Sequence, residues 1–155
     1  MTLYRTILMA TDFSEASEGA FQEAVRLARD TGAALRVLHV YQPQTAVAMP
    51  FTTAEIYETL DHEAREDAAR RLEPWIRRAA DRGVAATPLL RRGLPDVEIV
   101  DAAVDERADL VVLGTHGRSG PMRLLLGSVA SRVVADAPCP VLTIRPRRAA
   151  ERLAS

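Results

Sequence analysis

The chain of 155 residues is long enough for one domain with a real core and too short for two. Its 48% hydrophobic and 26% charged residues are ordinary for a globular protein, and a net charge of −1 supplies no field for nucleic acid or an anionic membrane. All 20 residues in the Lys+Arg count are arginine, and the absence of lysine excludes both a Schiff-base lysine and a P-loop lysine.

Cys139 is the single cysteine, so no intrachain disulfide can form, and it is expected as a small buried residue between Pro138 and Pro140. The opening MTLYRTILMATD lacks the charged-then-apolar layout of a signal peptide. No apolar run approaches the length that spans a bilayer. A cytoplasmic location is expected, with neither nucleic acid nor membrane as a partner.

Along the chain, strands and helices alternate. Residues 5–11, RTILMAT, form a short apolar run suited to a central strand. Ser14 is the expected N-cap of a first helix, with Glu15 and Glu18 in its first turn. Ala20, Phe21, Ala24, Val25 and Ala28 make its apolar stripe, and Gly32 ends it. LRVLHVY, 35–41, is a second strand rich in branched residues. Residues 42–52, with two prolines and no charge, are expected as a loop.

A long helix is predicted from about Thr53 to Arg82, with Ile56, Leu60, Ala64, Ala68, Leu72 and Trp75 on one side. Pro74 inside it is expected to kink or split it. Gly83 closes this helix before a third strand, VAATPLLRR, 84–92. Pro88 cannot donate to a ladder, which assigns that strand to a sheet edge. Pro95 fits the first turn of the next helix, with Ile99, Val100, Ala103 and Val104 facing the core. DLVVLG, 109–114, is continuous and apolar, as expected for a strand covered on both faces. A last helix over Ser128–Ala137 and a fifth strand, PVLTIR, 140–145, complete the pattern. Residues 1–146 are expected to form one domain and 147–155 a flexible tail. This alternation predicts a doubly wound α/β fold: a five-stranded parallel sheet with helices on both faces.

In such a sheet, ligands bind beyond the carboxyl ends of the strands, where the strand order reverses. Ala10, Thr11 and Asp12 reach that edge after the first strand, Val40 after the second, and Leu113 and Gly114 after the fourth. The segment after Leu113 is glycine-rich: GTHGRSGPMRLLLGS holds Gly114, Gly117, Gly120 and Gly127, four of the chain's 8 glycines. Gly114 and Gly117 are expected to let the backbone adopt positive φ and approach a ligand without an intervening Cβ. Gly127 and Ser128 open a helix whose free N–H groups and positive dipole end favour an anion. The competing reading is that these glycines serve turns and a helix start alone. Against it, G-x2-G-x9-G-[ST] as a prespecified spacing should arise by chance in roughly one such chain in a hundred, given a glycine background of about 7%.

Walker A is absent, and no glycine fingerprint follows the first strand. The three histidines, His39, His62 and His116, show no ligand spacing, so no structural metal is expected. His39 is expected as a strand residue packed under a helix and His62 as a helix-surface residue. Asp12 before a helix could be a cap or turn residue, but its place at the crevice favours a ligand contact.

These residues resemble the universal stress protein family in its ATP-binding signature, G-x2-G-x9-G-[ST], here Gly114, Gly117, Gly127 and Ser128. The resemblance extends to ATDFSE, VLHVY, ADLVVLGTHGRSG and GSVASRVVADAPCPVLTIRP, nearly the whole chain. It implies strand order 3-2-1-4-5 and a homodimer formed through strand 140–145, an edge with apolar Val141, Leu142 and Ile144. Asp12 matches the family's acidic residue near ribose and adenine, and Val40 the position whose backbone bonds adenine. Gly114, His116, Gly117, Gly127 and Ser128 match phosphate and ribose contacts, and Val129 and Ala130 continue the helix-start amides. Arg118 could meet a phosphate; Arg123 is the better candidate for a solvated surface arginine.

The resemblance implies ATP, or ADP or AMP, as ligand, with magnesium able to accompany a triphosphate. The function it implies is nucleotide-dependent stress sensing or regulation with at most slow hydrolysis, since no nucleophile–base pair is evident. The alternative is a nucleotide-independent dimeric interaction module on the same fold. The residues name no regulatory protein partner. Substituting Gly114 or Gly127 by valine is expected to block the phosphate path while the fold survives.

Overall fold

The computed structural model describes residues 3–42, 53–116 and 126–146. In chain order the elements are β1 (Thr6–Ala10), α1 (Glu15–Thr31), β2 (Ala34–Tyr41), α2 (Ala54–Ala80), β3 (Ala86–Arg92), α3 (Pro95–Asp105), β4 (Leu110–Gly114), α4 (Ser128–Asp136) and β5 (Val141–Ile144). All strand pairings are parallel, and the sheet order is β3-β2-β1-β4-β5. The Pro88 strand stands at one edge, where a missing N–H costs least.

Side chains alternate across the sheet and build two cores. Ile7, Met9, Leu35, Val37, Leu110 and Val112 join Phe21, Val25, Leu72 and Trp75 on one face. Leu8, Ala10, Leu38, Val111 and Leu113 join Ile99, Ala103, Ala130 and Val133 on the other. Helices α1 and α2 therefore cover one face, and α3 and α4 the second. The central strands β1 and β4 are buried on both sides, which is why their sequences are apolar without alternation.

Local chemistry sets the helix ends. Ser14 caps α1 by accepting from Ser17 N, and Gly32 closes it in the left-handed region at φ 73. At the amino ends of the central strands, one Asp109 carboxylate oxygen accepts from the backbone N–H of Arg5 at 2.7 Å and of Thr6 at 2.9 Å. These two bonds tie the start of β1 to the start of β4 and hold the carboxyl below its ordinary pKa. Between α1 and α2, Arg78 grips the Glu18 carboxylate with both terminal nitrogens, one of them at 3.0 Å. The bond to Arg78 pulls the Glu18 pKa down against the opposing effect of burial.

Several expectations require correction. Pro74 does not split α2, which runs unbroken for 27 residues. Its position faces solvent, so the carbonyl it cannot serve has water available, while buried Leu72, Trp75 and Ala79 hold the helix on both sides of Pro74 against one core. Ile56 and Leu60 do not pack: they are 47% and 38% exposed. A 27-residue helix is about 40 Å long, whereas the longest strand, 8 residues, spans only about 26 Å. The first half of α2 therefore overhangs the sheet. Val104 is 56% exposed, because it lies about 140° around α3 from Ile99, whereas Ala102 and Ala103 share the buried stripe.

His62 does lie on the helix surface, paired with Glu66 at 3.3 Å. Cys139 is only partly buried, and its thiol pKa is raised by burial and by the Asp109 charge. Among the described residues no helix is long and apolar enough to cross a membrane.

Candidate functional site

The strand order reverses between β1 and β4, which have neighbours leading in opposite directions. The segments that leave their carboxyl ends diverge, and the crevice between them is the expected ligand position. Ala10, Thr11 and Asp12 enter it from β1, Leu113 and Gly114 from β4, and the start of α4 forms its rim. Val40 lies one strand away, near the end of β2.

The turn from β1 to α1 is heavily bonded. Thr11 N donates to the Leu38 carbonyl at 2.8 Å, continuing the ladder one residue beyond β1. Thr11 Oγ1 accepts from Phe13 N at 2.9 Å. Asp12 Oδ1 accepts from Ser17 Oγ at 2.6 Å and from Ser14 N at 3.0 Å. Asp12 thus serves the turn and the helix start through one oxygen, the capping role weighed against ligand contact. Phe13 has φ 64, a left-handed conformation that costs of order 1 kcal/mol for a residue with a Cβ.

At the end of β4, Thr115 is 2% exposed. Its N–H donates to the Ile144 carbonyl at 2.9 Å, and its carbonyl accepts from Gly127 N at 2.6 Å. That last bond fastens the entry of α4 to the strand end. Gly127 N is consequently engaged by protein. The first bond of the α4 ladder is Ser131 N to Gly127 O at 2.9 Å. The N–H groups of Ser128, Val129 and Ala130 precede that ladder and point from the positive end of the helix.

Gly114 and Gly127 are not among the positive-φ glycines. Their missing side chains matter for close packing. A Cβ on Gly114 would lie 2.8 Å from Ala16 Cβ and 2.9 Å from its carbonyl carbon, and one on Gly127 would lie 2.9 Å from the Thr115 carbonyl oxygen. Valine at either position therefore meets backbone of the fold itself, which overturns the expectation that the fold survives such a change.

His116 places Nδ1 3.1 Å from Thr115 Oγ1. Its Nε2 is buried and has no hydrogen-bond partner among the described residues. A buried ring nitrogen left unsatisfied costs about 1–3 kcal/mol, so a ligand atom that bonds it is favoured. The α4 amides make the rim fit an anionic group, and Nε2 adds a donor to it in the tautomer whose Nδ1 accepts from the Thr115 hydroxyl. Gly117 and Arg118 lie outside the described residues, as does Arg123. Among the described residues no group of three or more His, Cys, Asp or Glu could hold a metal ion.

Thr115, Ser17 and Phe13 belong to this constellation, although the sequence pattern does not single them out as site residues. The spacing Ser14–Ser17 at a helix start is a signal for the second of them. No local pattern announces that Thr115 is buried or that Phe13 is left-handed.

A parallel sheet in the order 3-2-1-4-5, with helices on both faces and a helix N-terminus at the reversal crevice, places the molecule among doubly wound, Rossmann-like α/β proteins. Within that class the chain belongs to the universal stress protein family, whose profile matches residues 3–145. It is 37% identical over 148 residues to a universal stress protein of Thermus aquaticus, covering 92% of this chain and all of the relative. The solved structure of a universal stress protein from Lactobacillus plantarum superposes with a TM-score of 0.80 at 33% identity, covering 92% of this chain and 98% of the other. A universal stress protein solved in complex with cAMP gives a TM-score of 0.61 at 28% identity, covering 91% and 96%.

Proposed function

We propose that this protein binds an adenine nucleotide in the crevice between the ends of β1 and β4 and acts as a nucleotide-dependent regulator in the stress response. The observation that carries the reading is the rim of α4. Three helix-start amides and the Nε2 of His116, unpartnered among the described residues, stand beside the end of β4, held there by the bond from Gly127 N to Thr115 O. Such a rim suits phosphate. The relative that holds cAMP supports adenine as the base. Asp12 and the backbone of Val40 would take the ribose and adenine, and Ser128, Val129 and Ala130 the phosphates. Leu113, Ala10 and Thr11 line the strand ends, Gly117 completes the signature by sequence, and Arg118 beside it would meet a phosphate.

ATP, ADP and AMP share the features this crevice recognises, and magnesium would enter on the phosphates of the first two. Slow or absent turnover is expected, because no described carboxylate orients His116 as a base. Mass spectrometry of nucleotide released from natively purified protein, with calorimetry of ATP, AMP and cAMP with and without magnesium, tests the reading. Saturable binding of at least one nucleotide is expected, and no binding of any overturns it.

One observation favours a second, compatible activity. β5 is a partly buried edge strand that pairs, among the described strands, with β4 alone. Such an edge invites pairing with another chain, and a homodimer through residues 140–145 is the proposed assembly. A monomeric mass by sedimentation at all concentrations would remove it. Equal dimerisation with nucleotide stripped away would instead favour the nucleotide-independent interaction module.

A further inference from the structure

The turn that carries Asp12 includes a left-handed Phe13, and backbone of this kind persists where its surroundings over-determine it. Several contacts from outside the turn do so. The Nδ1 of His39 lies 2.8 Å from the Thr11 carbonyl oxygen. The His39 ring lies 4.4 Å from the Phe13 ring, and the Arg71 guanidinium sits 4.2 Å over that same ring. Trp75 meets Phe13 edge-on at 5.9 Å. A carbonyl oxygen only accepts, so Nδ1 of His39 carries the proton in this bond.

The sheet register brings His39 to this place. Ala10 pairs with Leu38, so the next residue of β2 stands beside the first residue leaving β1. An aliphatic side chain there could fill the space but could not hold the Thr11 carbonyl. The imidazole does both, gripping the backbone on one side of Asp12 and packing against the ring on the other.

We propose that His39 is a positioning residue for the site: it holds the Thr11–Phe13 turn in the shape that presents Asp12 to the ligand. The link to ligand rests on the nucleotide reading above, but the hold on the turn can be measured without nucleotide. His39→Leu removes the donor and the ring. His39→Asn restores an N–H donor on Cγ, where Nδ1 is attached in histidine, without the ring. The first readout is amide hydrogen exchange at Phe13 and Ser14, whose N–H groups bond Thr11 Oγ1 and Asp12 Oδ1. The second is calorimetric affinity for AMP and cAMP at fixed pH.

In His39→Leu, exchange at Phe13 and Ser14 should rise about tenfold relative to Leu8 and Met9, and affinity should fall by about the same factor, the scale of one lost hydrogen bond. His39→Asn should recover most of both. Unchanged local exchange in His39→Leu, or an Asn variant no better than Leu, overturns the proposal. If His39→Leu fails to fold, His39→Gln replaces it, since its amide lies one carbon further out. Raised exchange in a protein whose wild type binds none of ATP, AMP and cAMP would defeat the nucleotide reading while leaving the hold on the turn intact. Raised exchange with unchanged affinity would defeat the link from His39 to the ligand.

Discussion

Gly114 at the end of β4 lies so close to Ala16 in the first turn of α1 that a Cβ there would sit 2.8 Å from the Ala16 Cβ, 2.9 Å from its carbonyl carbon and 3.0 Å from its oxygen. The helix thus rests on the strand end at the point where the crevice opens. Gly114→Ala is expected to destabilise the protein by about 1–3 kcal/mol, as overpacking does, and Gly114→Val by more. Ala16→Gly in the same chain should restore only part of the loss, because two of the three contacts are to backbone. Urea midpoints of the two single variants and the double variant measure this directly. Full rescue by Ala16→Gly would show that the backbone contacts do not constrain the site.

Asp12 and Ser14 should separate capping from binding. Ser14→Ala removes the acceptor for Ser17 N and is expected to cost about 0.5–2 kcal/mol, with nucleotide affinity nearly unchanged. Asp12→Ala removes two hydrogen bonds from Oδ1 and should lower both stability and affinity. Calorimetry beside thermal unfolding distinguishes the two. Equal affinity in both variants would reduce Asp12 to a cap.

Acid sensitivity should follow Asp109. Its folded pKa is depressed by the Thr6 and Arg5 amides, so its contribution to stability is present above the unfolded pKa and is lost as pH falls through the folded value. Glu18, lowered by Arg78, adds a loss of the same sign. Asp109→Asn should be less stable than wild type at neutral pH and converge with it in strong acid, where the native carboxyl is protonated. Urea midpoints from pH 7 down to about pH 2 trace the convergence. A constant gap across the range would assign the difference to something other than this charge.

Phe21 and Val104 both look core-facing from helical spacing, yet their environments are opposite. Phe21 is 0% exposed and meets Trp75 edge-on at 4.9 Å. Phe21→Ala should cost about 3–5 kcal/mol, and Val104→Ala should stay within about 0.5 kcal/mol. Denaturation of the two variants under one set of conditions compares them.

Much of the architecture was legible because its causes are local or periodic. Short apolar runs, a Ser cap, a left-handed Gly32 and a Pro at the start of α3 report conformations that neighbouring residues impose on one another. Pro88 disclosed an edge strand because a missing N–H has the same meaning in any sheet. The glycine spacing between Gly114 and Ser128 marked the site by place, and the family resemblance supplied the strand order.

The reasons behind those marks belong to the tertiary structure. Gly114 and Gly127 are small because α1 and the Thr115 carbonyl press on them, contacts that span many residues of chain. Ile56 and Leu60 continue an apolar stripe and are nevertheless exposed, because strand length, which no helix sequence encodes, decides where α2 runs out of partner. His39 reads as an ordinary strand residue until the β1–β2 register sets it against Thr11. Periodicity specifies which face of an element is apolar; only the packed fold decides what that face, or a single nitrogen on it, will meet.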